Sequence, residues 1–305
     1  MKPSGPRNLP ASVAARLRDR SHATGDDYQV LLTAYFFERF LFRLSRSPVS
    51  DRFVLKGAML LRLWSEHPYR ATRDLDLLLQ GDAAAESIRA DLRTICSADV
   101  APDGVAFDPR TIRLDAIRRE DENAGTRARL LATCGSIQMV LQVDIGVGDA
   151  AWPPPESRLY PALLDLPTGP VLAYVPAAVV AEKLEAMVVL GQRNSRIKDF
   201  FDVHYLAGHC DFAGSVLAES VRRAFAARGT PFPEDEPVGL TVAYWDDPSR
   251  GAQIRAFARR AGMVLSPETV SGILPLLRTF LLPILHEQRR GTPSLGVWPA
   301  GGPWR

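Results

Sequence analysis

Apolar residues recur at helical spacing over 27–45, where Val30, Leu31, Ala34, Phe37, Leu41 and Phe42 form a stripe interrupted by Glu38, Arg39 and Arg43. The pattern predicts a helix there and another over 9–21. A short apolar run, Phe53-Val54-Leu55, ends at Lys56-Gly57 and is followed by a helix-compatible stretch over 58–64. After the Pro68 break, residues 74–79 (DLDLLL) read as a strand closed by Gly81-Asp82. A helix over 83–97, β character over 105–119 and strands over 126–133 and 136–145 complete a mixed α/β region. The cluster Pro153-Pro154-Pro155 opens a loop-rich passage to about residue 173. Helices are then expected over 176–190, 196–207, 213–228, 249–261, 266–272 and 273–289. The Gly/Pro-rich tail carries Trp298 and Trp304, which can pin it to the body. The expected division is an α/β domain over 1–165 and a helical domain over 166–305.

Composition narrows the class. A chain of 305 residues with 46% hydrophobic and 24% charged residues is too apolar for a largely disordered protein. Its 37 basic and 35 acidic residues leave a net charge of +2, which excludes retention on nucleic acid by bulk charge alone. Local basic pairs, Arg118-Arg119, Arg222-Arg223 and Arg259-Arg260, could still contact phosphates, although each also fits an ordinary helix face. Lysine occurs only at Lys2, Lys56, Lys183 and Lys198, so the other 33 basic residues are arginine. Cys96, Cys134 and Cys210 are scattered and form no CxxC, as expected of small buried residues in a reducing compartment. The N-terminal segment lacks an apolar signal-peptide core, and the apolar runs at 30–42 and 273–285 are cut by charge or proline before about 18 residues. The expectation is a cytoplasmic protein with no membrane span.

Three groups of residues could carry chemistry. On a strand, Asp74 and Asp76 share a face about 7 Å apart while Leu75, Leu77 and Leu79 take the other. Such a pair suits Mg²⁺, which prefers oxygen ligands, although a solvated strand face would show the same spacing. Gly57-Ala58, entering a helix, would present backbone N–H groups to a phosphate. Asp144 in QVDIG is either a third metal ligand beside the 74–79 strand or a strand-end residue turning into Gly146-Val147-Gly148; Asp115 and Asp121 read as solvated. In the helical half, Lys183 lies beside the apolar Val179, Val180, Leu184, Met187 and Val188. Beyond the loop, Lys198 and Asp202 are i,i+4, and Asp199 and Asp202 i,i+3. The second pattern is that of an exposed ion-paired helix or of a cationic pocket for a triphosphate.

Gly57-Ala58, Asp74-x-Asp76, Lys183 in EKLxA and Arg196-x-Lys198-Asp199-x-x-Asp202 together resemble the AbiEii-type nucleotidyltransferase toxins, the family of the AbiE abortive-infection and MenT-like toxins of toxin–antitoxin systems. ERFLFRLSRSP, RFVLKGAMLLRLW and the tail extend the resemblance over roughly 27–304. It implies a DNA polymerase β-like nucleotidyltransferase core, a mixed sheet with flanking helices, plus a helical C-terminal domain completing the active site. It implies Asp74 and Asp76 as ligands of Mg²⁺ or Mn²⁺, with Asp144 near the third-carboxylate position. Lys183 would meet the triphosphate of the NTP co-substrate, with Gly57, Ala58, Arg196 and Lys198 also on the nucleotide, and Asp199 or Asp202 would complete the site. The family's first motif often reads Gly-Gly or Gly-Ser, so Ala58 removes any hydroxyl contact there. Thr72 aligns with a hydroxyl that some relatives offer to phosphorylation by a partner. The implied activity is transfer of NMP to RNA, the tRNA 3′ end, blocking translation and tRNA aminoacylation, with a cognate antitoxin as partner. A protein hydroxyl as acceptor, a noncatalytic binding module on the same fold and a metal nuclease are the competing readings.

Overall fold

The computed structural model describes residues 8–64, 70–117, 125–148, 152–291 and 295–305. Lys2, Pro68, Arg118, Arg119, Asp121 and the end of the strand expected over 105–119 lie outside the described residues. The chain divides into two compact units, Met1–Ala150 with Glu156–Ala173, and Ala151–Pro155 with Tyr174–Arg305.

In the first unit, Asn8 caps α1 (Leu9–Thr24) through the Ala11 N–H, and Gly25 ends it in the left-handed conformation. Asp27 caps α2 (Tyr28–Arg46) by accepting from the Gln29 and Val30 N–H groups at 2.8 and 3.1 Å. There follow β1 (Phe53–Lys56), a 3-10 turn (Gly57–Leu63), β2 (Leu75–Leu79), α3 (Ala85–Cys96), β3 (Ala106–Ile117), β4 (Gly125–Cys134), β5 (Ile137–Val147), β6 (Glu156–Leu159) and β7 (Pro170–Ala173). They form one seven-stranded sheet in the order β3-β4-β5-β2-β1-β7-β6. The β2/β5 and β1/β7 pairs are parallel and the others antiparallel. The mixed sheet with flanking helices is the fold class the motifs imply.

Alternation sets the two faces of this sheet. Leu75, Leu77, Leu79, Ala128, Val143 and Ile145 are fully buried on one face. α2 covers it, as the edge-on contact between Phe40 and Phe107 shows. Arg43 anchors α2 inside this core, forking onto Asp103 at 2.7 and 3.1 Å and donating to the Val105 carbonyl at 2.7 Å. Two expectations are corrected here. The helix expected over 58–64 is a 3-10 turn, Gly57–Leu63, in which Ala58, Met59, Leu60 and Leu61 are all buried. The passage over 153–173 contributes β6 and β7, and β6 is exposed at every residue, so no alternation betrays it.

The second unit comprises α4 (Pro176–Leu190), α5 (Ile197–His209), β8 (Phe212–Ala213), α6 (Gly214–Arg228), α7 (Val242–Trp245), α8 (Pro248–Ala261), α9 (Pro267–Arg290) and β9 (Val297–Trp298). The two helices expected over 266–289 are one: α9 runs through Pro275 and Pro283. Each internal proline costs about 3 kcal/mol in an isolated helix, offset here by Ile273, Leu277, Phe280, Leu281 and Ile284, all fully buried. Against expectation, α9 is long and apolar enough to cross a membrane by length and composition; its buried face packs on α5 and α6.

The tail is built into this unit. β9 pairs with β8, Trp298 is wholly buried and donates from Nε1 to the Ala207 carbonyl at 2.8 Å, and Trp304 donates to the Phe280 carbonyl at 3.0 Å. Phe280 and the two tryptophans form a triangle of rings, with centroids 4.8 Å from Phe280 to Trp298, 5.8 Å from Phe280 to Trp304 and 5.5 Å between the tryptophans. Trp298→Ala is therefore expected to cost about 3–5 kcal/mol of stability, read as a lower urea midpoint, whereas Trp304→Ala should cost less because the exposed flank of its ring is already in water.

Candidate active site

β1 ends at Lys56 and the chain turns at Gly57 with φ +72°. A Cβ at Gly57 would stand 2.0 Å from Asp76 Oδ2. Glycine is thus required twice, by the left-handed backbone and by the carboxylate pressed against it. Ala58, next in the chain, is buried.

Strand register then assembles a charged row. Across β1/β2 Lys56 opposes Asp76; across β2/β5 Asp76 opposes Asp144; across β5/β4 Asp144 opposes Arg127; across β4/β3 Arg127 opposes Asp115. Opposed residues share a sheet face, so five charged side chains cross five adjacent strands. Their signs alternate except at the centre, where Asp76 and Asp144 are neighbours. Asp74 joins them from the residue before β2: oxygens of Asp74, Asp76 and Asp144 lie within 4.8 Å of one another. Thr72 Oγ1 holds Asp74 by donating to its Oδ1 at 2.7 Å.

Arg127 was not among the expected site residues. Its guanidinium forks onto buried Asp144, Nε to Oδ1 at 2.8 Å and Nη2 to Oδ2 at 2.7 Å. The hydrogen bonds to Asp144 hold the Arg127 pKa above its usual value against the opposing effect of burial, and the charges of Asp144, Asp74 and Asp76 add to the rise. Three carboxylates and one guanidinium leave the cluster at −2, a match for one hard divalent cation. Asp144 also sits inside β5, three residues before its end.

In the helical unit, Lys183 of α4 reaches two acids of α5. Its Nζ lies 2.5 Å from Asp199 Oδ1 and 2.9 Å from Asp202 Oδ2, and Arg196 Nε lies 3.0 Å from Asp199 Oδ2. Both aspartates are 2% exposed, which overturns the exposed ion-paired helix as a description of α5. The i,i+4 neighbour of Asp202, Lys198, is itself exposed, so the cation that meets Asp202 comes from another helix. Of the basic pairs, Arg222 and Arg223 both bind Glu219, whose pKa their hydrogen bonds bring down to about 2. Arg259 and Arg260 are exposed in the last turn of α8.

A family model described as "Nucleotidyl transferase AbiEii toxin, Type IV TA system" matches residues 39–271. No curated protein matches the chain. Among solved structures, a candidate nucleotidyltransferase of Helicobacter pylori is 15% identical with a TM-score of 0.49, over 88% of this chain and 100% of that one. JHP933 from Helicobacter pylori is 15% identical with a TM-score of 0.47, over 87% and 97% of the two chains. An antigenic nucleotidyltransferase-like protein from Paracoccidioides brasiliensis is 11% identical with a TM-score of 0.31, over 88% and 93%.

Two variants test the cluster by stability in EDTA and in Mn²⁺. Arg127→Ala leaves the buried Asp144 charge uncompensated, a loss of about 3–5 kcal/mol in EDTA, and Mn²⁺ should restore part of it. Gly57→Ala should lose about 1–2 kcal/mol to the left-handed backbone and, with Asp76 displaced, should gain less from Mn²⁺ than wild type does. Urea midpoints with and without metal read both.

Proposed function

The chain belongs to the AbiEii family of nucleotidyltransferase toxins of type IV toxin–antitoxin systems, and from that premise we propose that it moves NMP from an NTP to an RNA acceptor, the tRNA 3′ end, and so blocks translation and growth. One observation carries the reading: register forces Asp76 and Asp144 side by side, with Asp74 in reach, so that three carboxylates converge where Arg127 offsets one of them. A divalent ion, Mg²⁺ or Mn²⁺, held by Asp74, Asp76 and Asp144 would supply polarisation of the α-phosphate and charge for the leaving pyrophosphate.

The chain's own residues have separate tasks in this reading. The acceptor hydroxyl oxygen bonds to the α-phosphorus as the bridge to the β-phosphate breaks, and pyrophosphate leaves with the bonding pair. Asp144 takes the hydroxyl proton on a carboxylate oxygen, since each oxygen retains a second lone pair beside its bond from Arg127. Arg127 orients that carboxylate. Gly57 gives Asp76 its room, and the backbone at Gly57 and Ala58 serves the nucleotide. Lys183, ion-paired with Asp199 and Asp202, is assigned to the triphosphate, together with Arg196 and Lys198. A cognate antitoxin and a cytoplasmic setting accompany the family's toxin role.

Incubation with Mg²⁺, labelled NTPs and total RNA tests this. Label is expected in a small RNA, and Asp76→Asn should lower it about a hundredfold or more without unfolding the protein. Full labelling by folded Asp76→Asn would sink the reading. Label in polypeptide instead would move the acceptor to a protein hydroxyl.

A further inference from the structure

Where α2 meets the 3-10 turn, Glu38, Arg39 and Arg62 are all buried, one acid against two bases. Glu38 and Arg39 are a fully buried ion pair. Glu38 spends one oxygen on Arg39 and the other on the Leu163 N–H at 2.6 Å. Arg62, from the 3-10 turn, is 7% exposed and close enough to Glu38 and Tyr160 to act on the charge of both. Yet its Nε and Nη1 are buried with no hydrogen-bond partner. The Tyr160 hydroxyl is already engaged with the Met59 carbonyl at 3.2 Å. One carboxylate therefore faces two buried guanidinium groups, and the set carries an excess of one positive charge. A guanidinium left this way is costly, and among the described residues only the charge of Glu38 offsets it.

Arg62 lines a recess of about 20 Å³ together with Arg70, Thr72, Val30, Ala34, Ala58 and Met59. That volume admits one oxygen-sized group. We propose that this recess is a second anion site, one that takes a terminal phosphoryl group, with an oxygen against Arg62 and the remainder at the Arg70 and Thr72 side. Arginine forks match phosphate oxygens in geometry as well as charge, and two arginines on one recess suit a dianion better than a carboxylate. The apolar wall of Val30, Ala34 and Met59 gives no hydrogen bonds to a larger polar ligand, so recognition is confined to the phosphoryl end. The recess adjoins the metal cluster, since Thr72 also holds Asp74 and Ala58 follows Gly57, but Arg62 itself is not part of that cluster.

Thermal midpoints of the full chain in EDTA test the proposal, since without metal the carboxylate cluster repels anions. Inorganic phosphate is expected to raise the wild-type midpoint with its concentration, and acetate at equal ionic strength is not. Arg62→Met, of similar volume, should have a higher midpoint than wild type without phosphate and no response to it; Arg62→Lys should keep a weaker response. An unresponsive wild type, an equal response to acetate, a retained response in Arg62→Met, or an Arg62→Met protein less stable than wild type would each overturn the site. A 5′-phosphorylated oligonucleotide beside its 5′-hydroxyl twin, and a nucleoside 5′-monophosphate, then assign the source. A shift from the phosphorylated oligonucleotide alone places a nucleic-acid end in the recess, and a shift from the small phosphates places a free nucleotide or ion there.

Discussion

Two carboxylates that repel each other are held side by side because leucines on the opposite face of the sheet will not move. Asp76 and Asp144 meet across a parallel strand pair, and their charges at less than 5 Å oppose folding by about 3–4 kcal/mol at the effective dielectric of a partly buried site. Leu75, Leu77, Leu79, Val143 and Ile145 are all fully buried in the same two strands, and each contributes about 1.5–3 kcal/mol. Hydrophobic burial wins by a wide margin. A slip by one residue would relieve the charges only by turning those five side chains into water. The site is thus strained electrostatically and locked sterically, and Lys56 and Arg127 at either side limit the strain without removing it from the centre.

The division of labour between arginine and lysine follows from the same geometry. Where one carboxylate must be gripped by two parallel bonds, as at Asp144 by Arg127 or Asp103 by Arg43, the planar fork is used. Lys183 has the other task. It places one compact charge between Asp199 and Asp202, oxygens that belong to different residues a helical turn apart. In a chain with 33 arginines, the compact ammonium at position 183 is the exception.

Much of this architecture is legible in the residues alone, and what is not has identifiable causes. The DxD spacing and the flanking leucines place Asp74 and Asp76 on one face, because strand periodicity is local. Asp144 stays ambiguous in sequence because its role depends on a pairing between segments more than sixty residues apart. Arg127 escapes notice among so many arginines; its one signal is alternation with the apolar Ala128 and Leu130 on a strand. At Lys198 the short-range i,i+4 rule points to the wrong lysine, since tertiary packing brings Lys183 from α4. β6 has no apolar alternation to read, and α9 survives two prolines because burial along the rest of its length outweighs them.

The tail carries a consequence for synthesis. β8 and the far half of α5 have as their packing partners Trp298 and its neighbours, which follow α9 in the chain. A growing chain therefore presents α4 to α9 to the cell before the residues that seal them have left the ribosome. The helical unit therefore closes only after residues 297–304 have emerged, and Lys183, Asp199 and Asp202 belong to that late-closing unit.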